Sequence, residues 1–172
     1  EINKATLNGY FEELPKVGVL GFCGSGKQIP GKQWHACLPL FGGLMQGFGN
    51  ELRDVTFSSS ESAAFTPRSK LGYWPVQTLD GYCLFIKRSV FEQIGGFDEK
   101  YEGWHGYDMD ICAKAIDAGF RNYVIDQPST HYSLGSGGPT LDLALARFKE
   151  KWTMLLNEPV KSVARKLPAA KR

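Results

Sequence analysis

Two short segments of the chain carry residue types that could do chemistry. The first is Gly21-Phe22-Cys23-Gly24-Ser25-Gly26-Lys27, which fits G-x-x-x-x-G-K after an apolar run. A phosphate-binding loop of this kind needs two further features. One is a Ser or Thr after the lysine to hold magnesium; the other is a helix there, whose first amides bind phosphate. Here Gln28, Ile29, Pro30 and Gly31 come next, so a glycine turn and a surface loop over 23–35 are expected. A P-loop nucleotide-binding protein is the least favoured function. The second segment is Asp108-Met109-Asp110, two carboxylates at the start of an expected helix. An acid there caps the helix and stabilises it by about 1 kcal/mol. Residues two apart on a helix do not face one another, so the two acids are not a pair.

The wider window is more specific. Asp80-Gly81 precedes the apolar run Tyr82-Cys83-Leu84-Phe85-Ile86. A short helix comes next, then Gly95-Gly96-Phe97-Asp98-Glu99, then Gly103-Trp104-His105-Gly106-Tyr107-Asp108-Met109-Asp110. This order resembles the second half of inverting GT-A glycosyltransferases, in particular the family-2-like enzymes that build bacterial surface glycans. Their pattern has a small residue facing the donor sugar, a strand and short helix, a GGFDE turn, and a GWGxEDxD segment carrying the catalytic base. The likeness covers roughly residues 15–135.

The resemblance implies that a sugar passes from a nucleotide-diphosphate donor to a hydroxyl of a glycan or lipid-linked acceptor, with inversion. Such a displacement needs a base for the acceptor hydroxyl, and Asp108 matches that position. Trp104, Tyr107 and Asp110 then fall at the acceptor, and Asp80 and Gly81 at the donor sugar, where Gly81 would allow close approach for lack of a Cβ. Tyr107 stands where the family has Glu; its hydroxyl donates or accepts a hydrogen bond in that place. His131 corresponds to a histidine that completes a manganese or magnesium site in related enzymes, the glycine-rich segment 133–138 closing over the donor. His35 and His105 have weaker claims. In this fold the metal-binding D-x-D ends an apolar strand, so the 108–110 triplet is not assigned to metal. A rival of another class is a non-catalytic carbohydrate-binding or assembly module that keeps the acceptor cleft.

The elements that must position these residues alternate helix and strand, which makes the class α/β: a partial GT-A-like fold, a mixed sheet flanked by helices. Leu7, Tyr10, Phe11 and Leu14 give an apolar face to a helix over 3–14, stopped by Pro15. Val17–Phe22 reads as a buried strand. Residues 38–50, with Pro39 and several glycines, read as irregular, and 55–57 as a short strand. Ser58, Ser59 and Ser60 mark a loop, and Pro67 and Pro75 punctuate the stretch after it. Strands are expected over 82–86 and 120–125, and helices over 87–94, 108–118 (C-capped by Gly119) and from Pro139 to Pro159.

The chain has 172 residues, 42% of them hydrophobic and 13% aromatic, enough for a real core and too apolar for disorder. Glycine has no collagen period, and four cysteines without CxxC spacing argue against a disulfide scaffold or structural zinc. Cys83 and Cys112 read as reduced core residues, which favours the cytoplasm. The net charge of +2 is too small to suggest nucleic acid, and five cations between 159 and 172 more than account for it. Two regions are therefore expected. Residues 1–158 form the acceptor and catalytic-base part of the domain; 159–172 form a basic tail able to touch the inner membrane surface. The likeness places a nucleotide-binding half, with its strand-ending D-x-D, ahead of Glu1. The isolated chain is accordingly expected to be inactive and to lack the metal that the complete enzyme uses.

Overall fold

A computed structural model describes residues 2–48, 50–57, 63–132 and 137–156. The serine loop at 58–60, most of the 133–138 segment and the tail lie outside them. Val17–Phe22 is apolar except for its glycines, as suits a strand covered on both faces. β1 (Val17–Gly21) is buried at every residue. β9 (Arg121–Ile125) lies parallel on one side of it and β8 (Phe85–Ile86) antiparallel on the other. β6 (Gly72–Val76) and β5 (Ala64–Phe65) continue the sheet beyond β9, in the order β5-β6-β9-β1-β8. Pro75 sits inside β6 opposite Tyr123 of β9, past the two residues that β5 pairs among the described residues.

A second sheet adjoins the first. β2 (Cys23–Ser25) and β7 (Thr78–Leu79) pair antiparallel, and β3 (Leu40–Phe48) lies on the other side of β2. β3 then pairs with β4 (Glu51–Thr56) as a hairpin and with β10 (Thr130–His131) in parallel. The stretch 38–50, expected to be irregular, is therefore mostly the longest strand of the fold. Its glycines answer to crowding. Gly42 has φ +94, and a Cβ there would collide with the carbonyl oxygen of Phe22. The 23–35 segment is likewise not all loop: β2 opens it, and a 3₁₀ turn over Trp34–Ala36 closes it.

Helices cover both faces of the first sheet. α1 (Lys4–Glu13) is capped by Asn3, whose side chain accepts from Thr6 N at 2.9 Å. It packs Tyr10 and Leu14 on Val17, Leu20 and Ile125. On the other face α3 (Tyr107–Asp117) lays Ile111, Cys112 and Ala115 against Val19, Leu79 and Val124. α2 (Arg88–Gln93) ends at Gly95 and Gly96, both at positive φ. α4 (Pro139–Leu156) packs Phe148 and Trp152 onto Met109 and Ala113 of α3. Among the described residues no helix is long and apolar enough to cross a membrane. Of the two cysteines expected in the core, Cys112 is fully buried and Cys83 is partly exposed.

Two buried polar side chains fix α3 in place. The β1–β9 ladder slips between Val17 and Leu20. There Asn122 Oδ1 accepts from Val19 N at 3.2 Å, while its Nδ2 donates to the carbonyls of Gln77 (3.0 Å) and Cys112 (2.9 Å). The amide thus joins β1, the residue ahead of β7, and α3. On the far side, Asp110 Oδ1 accepts from Lys151 Nζ at 2.8 Å and from Trp152 Nε1 at 2.7 Å, with Lys114 Nζ 3.7 Å from Oδ2. Lys151 also reaches Asp98 Oδ2 at 2.9 Å, beside Arg147 at 3.3 Å. Burial pulls the Lys151 ammonium down, but Asp110 and Asp98 outweigh it and hold it above its usual range. Hydrogen bonding from Lys151 and from the Lys100 amide holds Asp98 far below the ordinary carboxylate range. Replacing Asp110 by Ala leaves Lys151 and the Trp152 indole without their partner. It should cost about 3–5 kcal/mol of stability in urea unfolding; a loss under about 1 kcal/mol would show that the network carries no such weight.

Candidate functional site

The N-terminus of α3 and the turn after β7 meet at an open cleft of about 940 Å³. The local sequence explains where α3 starts. Gly106 takes φ +79 as its N-cap, and a Cβ there would press on the Tyr101 ring at 2.7 Å. Tyr107 is therefore the first helical residue, and Asp108 lies within the first turn rather than capping it. Across the cleft the chain from Asp80 to Leu84 does not run as the expected strand; only Phe85 and Ile86 pair with β1. Asp80 Oδ1 accepts from Tyr82 N at 3.0 Å and closes a turn.

That turn is clamped to α3. Asp108 Oδ2 accepts from Gly81 N at 3.2 Å, and the Tyr107 hydroxyl donates to Gly81 O at 3.0 Å. A Cβ on Gly81 would lie 2.5 Å from the Tyr107 hydroxyl and 2.8 Å from Asp108 Cβ. This corrects the sequence reading of Gly81: the space its missing side chain leaves is filled by α3, not kept for a donor sugar. It also commits the Tyr107 hydroxyl to a backbone carbonyl.

Of the residues expected at the site, Asp80, Gly81, Trp104, Tyr107, Asp108 and His131 all line the cleft. Asp110 does not; its carboxylate is buried and turned toward α4, which removes it from the acceptor set. His131 lies on β10 opposite Gln46 of β3, its ring stacked on Tyr82 at 4.6 Å between centroids. Tyr82 is held in turn by a 2.6 Å hydrogen bond to the Ser129 hydroxyl. His35 and His105 also line the cleft, as do Gln33, Trp34 and Gln46, which the sequence reading missed. Gln46 was legible only once β3 was known to be a strand beside His131. The Gly21–Lys27 segment lies elsewhere. No helix directly follows Lys27, and Ser25 Oγ donates to Cys37 O (2.5 Å) and accepts from Lys27 N (3.2 Å).

The charges in the cleft are unusual. Burial pushes the Asp108 carboxyl up to about 7; the Met109 and Gly81 amides oppose the shift, and Asp80 adds to it. Some of the Asp108 side chain still opens to the cleft. Burial also raises Asp80, offset by the Tyr82 amide and by His131 and His35. Among the described residues no three His, Cys, Asp or Glu side chains converge.

Part of the chain that lines this cleft resembles known proteins. Residues 65–134, from the end of β5 through β10, match the family described as the N-terminal domain of galactosyltransferase. That stretch supplies the cleft wall from Asp80 to Asp108 and His131. Over 65 residues, 37% of the chain, the sequence is 38% identical to N-acetylglucosaminyl-diphospho-decaprenol L-rhamnosyltransferase of Mycobacterium tuberculosis, in strains CDC 1551 / Oshkosh and ATCC 25618 / H37Rv alike. The match spans about a fifth (21%) of the length of those relatives.

The clamp and the enclosed carboxyl each have a measurable consequence. Gly81→Ala must push Tyr107 or Asp108 aside. It should cost about 1–3 kcal/mol in chemical unfolding, the usual range for overpacking, and an unchanged midpoint would contradict the clamp. The second consequence concerns pH. Folded Asp108 keeps its proton to about pH 7, whereas in the unfolded chain it loses it near pH 4, the usual value. Folding therefore takes up a proton between those values, and stability present below about pH 4 is lost as pH rises through 7. Asp108→Asn should be more stable than wild type at pH 8.5 by roughly 1–3 kcal/mol, the gap closing toward pH 4. A gap independent of pH would show that Asp108 titrates normally.

Proposed function

We propose that the chain is the acceptor and catalytic-base part of an inverting GT-A-type glycosyltransferase of the family-2-like kind. Its donor is a nucleotide-diphosphate sugar, and its acceptor a hydroxyl of a glycan or a lipid-linked sugar. The observation that carries this reading is Asp108: a carboxylate enclosed at the head of α3, held by two backbone amides, facing a cleft and poised near neutrality. A general base works best with a pKa near the working pH. The match of residues 65–134 to a galactosyltransferase-type domain supports sugar transfer as the chemistry.

In this reading the acceptor hydroxyl gives its proton to Asp108 as its oxygen bonds to the anomeric carbon. The bond from that carbon to the nucleotide diphosphate breaks on the opposite face, and configuration inverts. Trp104, 82% exposed at the rim, offers a flat apolar face to the acceptor ring. Tyr107 acts by holding the 80–82 turn against α3. Manganese or magnesium would supply charge neutralisation for the leaving diphosphate. His131 would be only part of its ligand set, as among the described residues no three His, Cys, Asp or Glu side chains converge.

The test is transfer by the complete enzyme. Asp108→Asn should lower turnover of the nucleotide sugar by at least about 10²-fold while donor affinity holds. Wild-type kcat/KM should rise with pH through about 7, as the base loses its proton. Near-wild-type transfer by the variant would remove Asp108 from the chemistry. Retained sugar binding without any turnover in wild type would favour a non-catalytic binding module.

A further inference from the structure

We propose that the cleft holds two sugar rings in separate seats: one pyranose lies on Trp104, toward Asp108, and a second lies on Trp34 with the Gln33 amide on its hydroxyls. The second ring is the transferred sugar of the donor or the next sugar of a longer acceptor; either presents a face of ring C–H groups to an indole. The proposal rests on the sugar-transfer reading and adds to it a subsite outside the 80–110 window. Its basis is how the two indoles stand about the two acids. Trp104 precedes Asp108 by four residues and stands at the rim of the cleft. Trp34 reaches the same cleft from the 3₁₀ turn over Trp34–Ala36 and is half-buried. The clamped turn runs between them. His35, next to Trp34, is near enough to Asp80 to act on its charge, Asp80 and Asp108 flank Gly81, and Asp108 leads back to Trp104. The indoles thus bracket the carboxylates instead of lying together on one side. Transfer requires two sugars to meet at the base. The cleft's volume of about 940 Å³ is near the upper end of the roughly 300–1,000 Å³ usual for a ligand site.

Trp34 is built as a platform. Its ring is braced by Phe57 at 6.0 Å and by His35 at 5.8 Å, both nearly perpendicular to it, and among the described residues no ring stacks parallel on it. Phe57 is anchored in turn, its N–H donating to Gly42 O of β3 at 3.1 Å. An indole fixed before its ligand arrives loses little freedom on binding. Gln33 lines the same wall, and its side chain makes no capping hydrogen bond to the turn it precedes. Its amide both donates and accepts, as a ring hydroxyl does.

The test is a titration of the 172-residue chain, followed through its backbone amide NMR signals. The ligands are methyl β-glucoside, methyl β-galactoside and methyl N-acetyl-β-glucosaminide. At least one should move the signals of 33–36 and those of 104–107 with different dissociation constants. Trp34→Ala should weaken the first seat about tenfold and leave the second unchanged, and Trp104→Ala should do the reverse. Trp34→Phe keeps a ring against Phe57 and should retain a weakened first seat, which separates loss of the platform from loss of the fold. The source of the ring is read with methyl β-cellobioside and methyl β-chitobioside. A disaccharide bound about tenfold tighter than its monosaccharide, with the gain lost in Trp34→Ala, gives the seat to the acceptor; two independently filled seats without that gain give it to the donor sugar. Signals at 33–36 that stay still while those at 104–107 titrate would overturn the second seat and leave the sugar cleft standing. So would a single dissociation constant for both, lost together in either variant. Failure of every glycoside to bind at high millimolar concentration would instead bring down the sugar-cleft reading, and the second seat with it.

Discussion

The carboxylate of Asp110 joins the first turn of α3 to Lys151 and Trp152 of α4, and the form of the cleft depends on where that turn is pinned. Through Lys151 the same contact reaches Asp98, just after the Gly95-Gly96 turn, so one ammonium ties three pieces of chain together. Asn122 does the matching work on the opposite side, holding α3 to the slipped ladder of β1. A helix fixed at both flanks cannot slide or roll. Its first residues are presented to the cleft at a set depth, as the base proposed at Asp108 requires.

Asp108 and Asp110 show how two identical side chains, two positions apart, come to opposite ends. Helical geometry sends them to different sides. One meets cations and an indole and becomes structural. The other meets only backbone amides and a second carboxylate, and burial leaves it close to neutrality. The partially positive N-terminus of α3 moderates both. The sequence alone shows a D-x-D; only the surrounding elements divide its two acids between the packing against α4 and the cleft.

The parts legible in the sequence were those with one dominant local signal. The apolar run of β1, the Asn3-to-Pro15 helix and the Gly119 stop of α3 were read from periodicity and capping. The grouping of Asp80, Trp104, Tyr107, Asp108 and His131 came from an ordered motif, and those residues do share one cleft. What escaped was set by distant neighbours. β3 looked irregular because glycines usually weaken a strand, yet Gly42 is demanded by the carbonyl of Phe22, about 20 residues away in sequence. Pro75 looked like a break, yet it lies within β6, in register with Tyr123 of β9. Tyr82–Leu84 had the composition of a strand, but Asp80 and Asp108 draw that stretch into a turn. The role of Gly81 was invisible for the same reason: what fills its missing Cβ comes from a helix more than 25 residues later.

The four indoles divide in a way that makes the molecule its own optical reporter. Trp74 and Trp152 are buried at 6% and 8% exposure, the first in the sheet core and the second between α4 and α3. Trp104 and Trp34 both stand on the wall of the cleft, the first almost bare to solvent. Emission from the buried pair should be blue and shielded from aqueous quenchers, while that from the cleft pair, Trp104 above all, should be redder and more accessible. Occupancy of the cleft should therefore register in the long-wavelength edge of the protein's own fluorescence, with no label attached and the core indoles serving as an internal standard.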